Sequence, residues 1–157
     1  MKIADIQFAK ETFRFEKPMK VAFAEIQDME TLIVKITTDE GITGYGEAAP
    51  LPFVTGDNLD GSYAVGKELR KALLGQDPVA LGGIHRRMDA LYAGCGPIKC
   101  GIDMACYDIA AKAAGIPLYR YLGGDRNQIH SDVTVGIDIP EAMAEKALEW
   151  VKKALQS

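Results

Sequence analysis

The hydrophobic period of this chain changes near residue 58, and that change limits its fold more than any other feature. Before it, apolar and β-branched residues alternate. "KIADIQFA" does so imperfectly through Ile3, Ile6 and Phe8; "TLIVKITT" (31–38) and "ITGYGEA" (42–48) flank the turn signal "DEG" (39–41). After it, apolar residues recur every three or four positions. Leu59, Tyr63, Leu69 and Leu73 share a face that Gly75 ends; Leu81, Ile84, Met88 and Leu91 follow, and then Ile98, Ile102, Ala105 and Ile109, stopping at Gly115 with Pro117 beyond. Asp77-Pro78 reads as a cap with proline at the first helical position, and "PLYRYLGG" (117–124) as a short helix closed by glycines. Strands first and helices second make an α+β domain, and stripes of this kind predict core packing.

Two segments depart from this order. "FEKPMKVAFAEIQDME" (15–30) contains Pro18 and mixed polarity, and at least part of it reads as a long loop of the sort that is often functional. "IHSDVTVGID" (129–138) is β-rich, with Val133 and Val135 alternating. Pro140 then opens a helix whose apolar face is Met143, Ala144, Ala147, Leu148, Val151 and Leu155. A strand followed by an amphipathic helix is the first half of a βαβ unit. One such unit cannot cover its own faces, so the chain reads as cut off at the opening of a second domain.

Composition excludes several functions. The 157 residues carry a net charge of -4, which offers no basic face to nucleic acid or to a membrane surface. No apolar run approaches the ~20 residues of a membrane span, and "MKIADIQFAK" reads as a strand, not a signal peptide. Cys95, Cys100 and Cys106 have no histidine nearby and read as free, mostly buried thiols of a cytoplasmic protein, not zinc ligands. With only His85 and His130 present, a Ser-His-Asp or Cys-His site is poorly supported, and His85 beside Arg86 and Arg87 reads as a solvated face.

Several motifs together carry a resemblance: "KPMKVAF" (17–23), "GYGEAAPLPFVTGD" (44–57), "IKCGIDMACYDIAAKAAGIPLYRYLGG" (98–124) and "SDVTVGID" (131–138). In order and in content the chain resembles the N-terminal part of the enolase superfamily, of the mandelate racemase and muconate lactonizing type. Within it, "GEAAP…TGD" and "TVGID" are most similar to dipeptide epimerases. The resemblance implies a capping domain over residues 1–124, a three-stranded antiparallel meander followed by helices. It also implies that 125–157 begins a (β/α) barrel, with its first strand and helix at 129–156.

The resemblance implies isomerase chemistry: removal and return of a proton α to a carboxyl group, with magnesium stabilising the enolate and barrel lysines as acid and base. Those lysines and the metal ligands are expected outside this chain. Lys152 and Lys153 are adjacent on a helix and read as charges favourable to its C-terminus. No catalytic residue and no metal ligand is therefore assigned here, and the chain alone is expected to be inactive. The expected partner is a dipeptide substrate in the full-length enzyme, with a homo-oligomer compatible. Muconate cycloisomerase or o-succinylbenzoate synthase chemistry, and a non-catalytic module, remain the alternatives.

In the family, two cap loops reach toward the substrate, here residues 16–27 and 48–57. The candidate substrate-binding residues are Lys20, Phe23, Phe53, Val54 and Thr134. An arginine that some Ala-Glu epimerases carry falls at Ala24, which points to a neutral or apolar dipeptide. The residues themselves also admit plainer readings. Gly44 and Gly46 relieve crowding or bend the strand in place of touching substrate, Glu47 is a structural carboxylate, and Asp57 a cap for the next helix. Lys20 suits a solvated surface and Thr134 a strand.

Overall fold

The computed structural model describes residues 1–21, 24–128 and 131–154. Strands β1 (Ile3–Val21), β2 (Ala24–Thr38) and β3 (Thr43–Ala48) form one sheet in the order β1-β2-β3. Six helices follow: α1 (Pro52–Thr55), α2 (Leu59–Leu73), α3 (Leu81–Leu91), α4 (Gly96–Ala113), α5 (Leu118–Tyr121) and α6 (Pro140–Ala154). The meander-then-helices order read from the sequence is the order found.

The chain divides into two compact units. The first comprises Met1–Thr12 and Glu30–Asn127, the second Phe13–Met29 and Gln128–Ser157. In the first unit, β2 and β3 pair antiparallel, with Val34 opposite Gly46, Lys35 opposite Tyr45 and Ile36 opposite Gly44. The "DEG" turn closes this hairpin: Thr38 N–H donates to Ile42 O at 2.9 Å, and Gly41 takes the left-handed φ of 82°. Leu32, Val34 and Ile36 are fully buried on one face of β2, as alternation requires.

Helix α4 supplies the opposite wall. Ile98, Ile102, Ala105 and Ile109 are all fully buried, and each isoleucine contributes about 1.5–3 kcal/mol of apolar burial. The helix lies on β3 at a separation that only glycine permits. A Cβ at Gly46 would stand 2.0 Å from the carbonyl oxygen of Gly101, and one at Gly44 would stand 2.1 Å from that of Ala105. The "GYG" run is thus a seat for a helix backbone, and close approach is the reason for both glycines. Tyr45, between them, faces outward and is exposed. Its backbone N–H donates to Asp108 Oδ2 on α4 at 2.9 Å, so a helix carboxylate occupies part of the strand's outer edge.

Four expectations need correction. The segment over 16–27 is largely strand, because β1 and β2 run on to Val21 and start again at Ala24. Pro18 is tolerated there because β1 is an edge strand and one side of it needs no N–H donor. Asp57 does not cap α2; Asn58 does, with extended backbone and a side chain accepting Gly61 N–H at 2.8 Å. Asp77 does not start α3. Its carboxylate accepts Val79 N–H at 3.0 Å in a local turn, and the helix begins at Leu81. Finally, the strand expected over 129–138 is absent among the described residues 131–139. A parallel strand exists only through neighbours that accept and donate along its length, and those residues have no ladder partner.

Candidate functional site

The first part of the site is the turn that β3 delivers. Ala48 and Pro50 are buried and anchor it, and Pro52 opens the single turn α1. Thr55 holds that turn from within: its Oγ1 donates to Leu51 O at 3.2 Å and accepts the N–H of Leu51 and of Asp57, each at 3.3 Å. Gly56, with φ 77°, reverses the chain, and its N–H closes on Pro52 O at 3.2 Å. The consequence is an apolar tip. Phe53 is 55% exposed and Val54 67%.

Behind that tip lies a cleft of about 470 Å³, bounded by Glu47, Ala49, Thr55 and Asp57 on one side and by Cys95, Pro97 and Cys100 at the start of α4 on the other. Glu47 is not idle in it. Its Oε1 accepts from the hydroxyl of Thr31 at 2.8 Å, and that hydroxyl, fully buried, also points at Ala48 O at 2.9 Å. The structural reading of Glu47 therefore fits. Cys95 caps α4 in the left-handed region, at φ 54°, which a non-glycine residue adopts only at some cost. Cys106, deeper on the same helix, is buried, and burial pushes its thiol up to about 12, with Asp103 adding to the effect. It is a packing residue. Only Cys106 of the three thiols is fully buried; Cys95 is half-buried and Cys100 exposed.

The second part lies in the other unit. Lys20 extends into solvent with its Nζ 4.0 Å from Glu25 across the arm, and its side chain is 62% exposed. Its carbonyl oxygen accepts the N–H of Ile137 at 3.1 Å. Around this bond is a cleft of about 310 Å³ bounded by Pro18, Lys20, Gly136, Asp138, Met143 and Lys146. Thr134 is exposed and does not line it. Phe23 lies outside the described residues. The structure thus brings Phe53 and Val54 together at one tip and Lys20 together with 135–138, in separate units. Gly136 and Ile137 lie in the "SDVTVGID" motif, where the sequence assigns them no role, and no sequence signal singles out Lys146.

His85 sits apart from both clefts, exposed, with Nε2 2.5 Å from Asp103 of α4, which extends the solvated-face reading to an inter-helix pair. Among the described residues, no three His, Cys, Asp or Glu side chains converge to hold a metal ion. No described helix is long and apolar enough to cross a membrane.

The model for the mandelate racemase / muconate lactonizing enzyme N-terminal domain matches residues 3–123. A hydrophobic dipeptide epimerase of Enterococcus faecalis is 38% identical over 152 residues, covering 97% of this chain and 43% of the relative. An L-Ala-D/L-Glu epimerase of Bacillus subtilis is 36% identical over 158 residues, covering 100% of this chain and 43% of the relative. Among solved structures, a dipeptide epimerase from Enterococcus faecalis complexed with Mg and L-Leu-L-Tyr matches with a TM-score of 0.94 at 38% identity, over 97% of this chain and 43% of that one. The chain spans about 43% of the length of these curated relatives.

Proposed function

Because the chain belongs to the mandelate racemase / muconate lactonizing enzyme family, with residues 3–123 as its N-terminal domain, we propose that it caps the active site of a dipeptide epimerase and favours an uncharged, apolar dipeptide. The observation that carries this is the tip at Phe53 and Val54. Two large apolar side chains, more than half exposed, stand on a turn that Thr55 bonds to Leu51 and Asp57, at the end of a stretch from Gly44 to Gly56 whose one charge, Glu47, is engaged with Thr31. An apolar wall of this kind excludes water from a reacting centre and strengthens the electrostatics within it. Residue 24 is alanine, so no cation stands there for an acidic second residue. The likeness to a hydrophobic dipeptide epimerase supports the same substrate class.

Lys20 is the cation available to a substrate carboxylate, Phe23 a further apolar wall, and Thr134 a polar contact. Magnesium accompanies the dipeptide in the Enterococcus structure, but the described residues of this chain do not fit such an ion, and no metal-dependent step is assigned to them. The groups that remove and return the α-proton are likewise not assigned to this chain. In the reading proposed here, residues 1–124 cover the substrate and 125–157 open the domain that carries the chemistry.

The test is α-proton exchange in D2O, followed by NMR, with magnesium and the intact gene product that carries this chain. L-Leu-L-Tyr should exchange faster than L-Ala-L-Glu, and Phe53→Ala should raise KM for L-Leu-L-Tyr. A preference for L-Ala-L-Glu overturns the substrate class. Cycloisomerisation of muconate without dipeptide exchange overturns the reaction. The 157-residue chain assayed alone should show no exchange with either dipeptide.

A further inference from the structure

We infer that the amide of Ile137 positions the Lys20 segment, so that the specificity arm of the cap is set by the 131–139 segment and not by the sheet alone. This rests on the functional reading above and adds a positioning residue to it. Three observations within the second unit carry it. Phe13–Met29, the far arm of β1 and β2, belongs with Gln128–Ser157 to one compact unit. Ile137 N–H donates to Lys20 O at 3.1 Å, the backbone hydrogen bond that joins the two segments among the described residues. And Gly136 lies against the same backbone: a Cβ there would meet Lys20 O at 3.5 Å and Lys20 N at 3.6 Å, so the position has room for a methyl group and little more.

The physical consequence follows from the edge position of β1. One side of an edge strand has unpaired backbone groups, and a bond to one of them fixes where that strand lies. Lys20 has an exposed, flexible side chain whose nearest carboxylate, Glu25, is 4.0 Å away, so side-chain pairing restrains it weakly. Its placement is governed by its backbone, which the sheet holds through β2 and the 131–139 segment holds through Ile137. A substrate carboxylate would then meet a cation whose location depends on residues 136 and 137.

The experiment compares Ile137→Pro, which removes the donor, with Ile137→Val, which keeps it, in the intact gene product. Gly136→Ala serves as a tolerated neighbour and Gly136→Phe as an overfilled one. Amide exchange over residues 14–21 should speed up about five- to tenfold in Ile137→Pro, the scale of one lost hydrogen bond, and stay unchanged in Ile137→Val and Gly136→Ala. Gly136→Phe should behave like Ile137→Pro. KM for L-Leu-L-Tyr should rise severalfold in the two disruptive variants while kcat holds. Unchanged exchange in Ile137→Pro overturns the inference, as does faster exchange with KM unmoved, which marks the bond as structural only. Failure of the wild-type protein to turn over any dipeptide overturns the functional reading and the specificity role with it. In that case the exchange data still decide whether Ile137 holds the arm.

Discussion

Gly46 of β3 faces the carbonyl oxygen of Gly101 on α4 so closely that a methyl group at residue 46 would stand 2.0 Å from it. Both groups are backbone, so neither side can rotate away. Gly46→Ala must push α4 off the sheet, and it should destabilise the chain by about 2–3 kcal/mol, as overpacking of a close interface does. Gly44→Ala should behave alike. Urea denaturation checks both, with Gly82→Ala as the control, since its nearest neighbour is a flexible arginine end 3.4 Å away.

Asp108 links α4 to the same strand from the edge. It accepts Tyr45 N–H at 2.9 Å and Lys112 Nζ at 2.7 Å, while Lys112 Nζ also donates to Thr43 O at 2.7 Å. Asp108→Ala should cost about 1 kcal/mol and speed exchange of the Tyr45 amide. Asp108→Asn keeps an acceptor and loses only the i,i+4 charge pair, so its cost should be smaller, about 0.3–0.5 kcal/mol. Equal effects of the two substitutions would show that charge alone matters there.

Asp5 gives the fold a pH dependence. Arg70 donates to its Oδ1 from Nε at 3.0 Å and Nη2 at 2.7 Å, and these bonds hold the carboxyl below the usual carboxylate range, with Gln7 and the Ile6 amide adding to them. A depressed folded-state value means that stability is present above the unfolded-state value and is lost as pH falls through the folded one. The pair is partly exposed, so salt should weaken the effect. Urea midpoints measured downward from pH 5 should fall more steeply for the native chain than for Asp5→Asn. Parallel curves would remove Asp5 from the account.

The three thiols should react in order of access. Cys100 is exposed, Cys95 half-buried and Cys106 fully buried with its thiol pushed up to about 12. A thiolate reagent such as dithiobisnitrobenzoate should label Cys100 first and Cys106 only on unfolding. Cys106→Ser should place a hydroxyl in the α4 core and lower stability, whereas Cys100→Ser should not.

Much of the fold was legible because periodicity reports burial directly. The stripe Ile98, Ile102, Ala105, Ile109 named the innermost face of α4, and "TLIVKITT" named the buried face of β2. The misreadings share one cause. Pro18 looked like a loop residue because its cost depends on whether a neighbour needs its N–H, and that is a property of the sheet edge. Asp57 and Asn58 are both capping types, and only the backbone dihedrals of residue 58 choose between them. "SDVTVGID" has strand composition, but a strand needs partners that composition cannot supply.

The sequence by itself determined that strands precede helices, the buried faces of β2 and α4, and the family. Those follow from local spacing and residue type. Tertiary structure alone decided that Gly44 and Gly46 seat α4, that Glu47 answers Thr31, and that Lys20 is tied to Ile137. Each of these joins residues many positions apart, and contact between distant residues is fixed by chain packing in space, which no local pattern encodes.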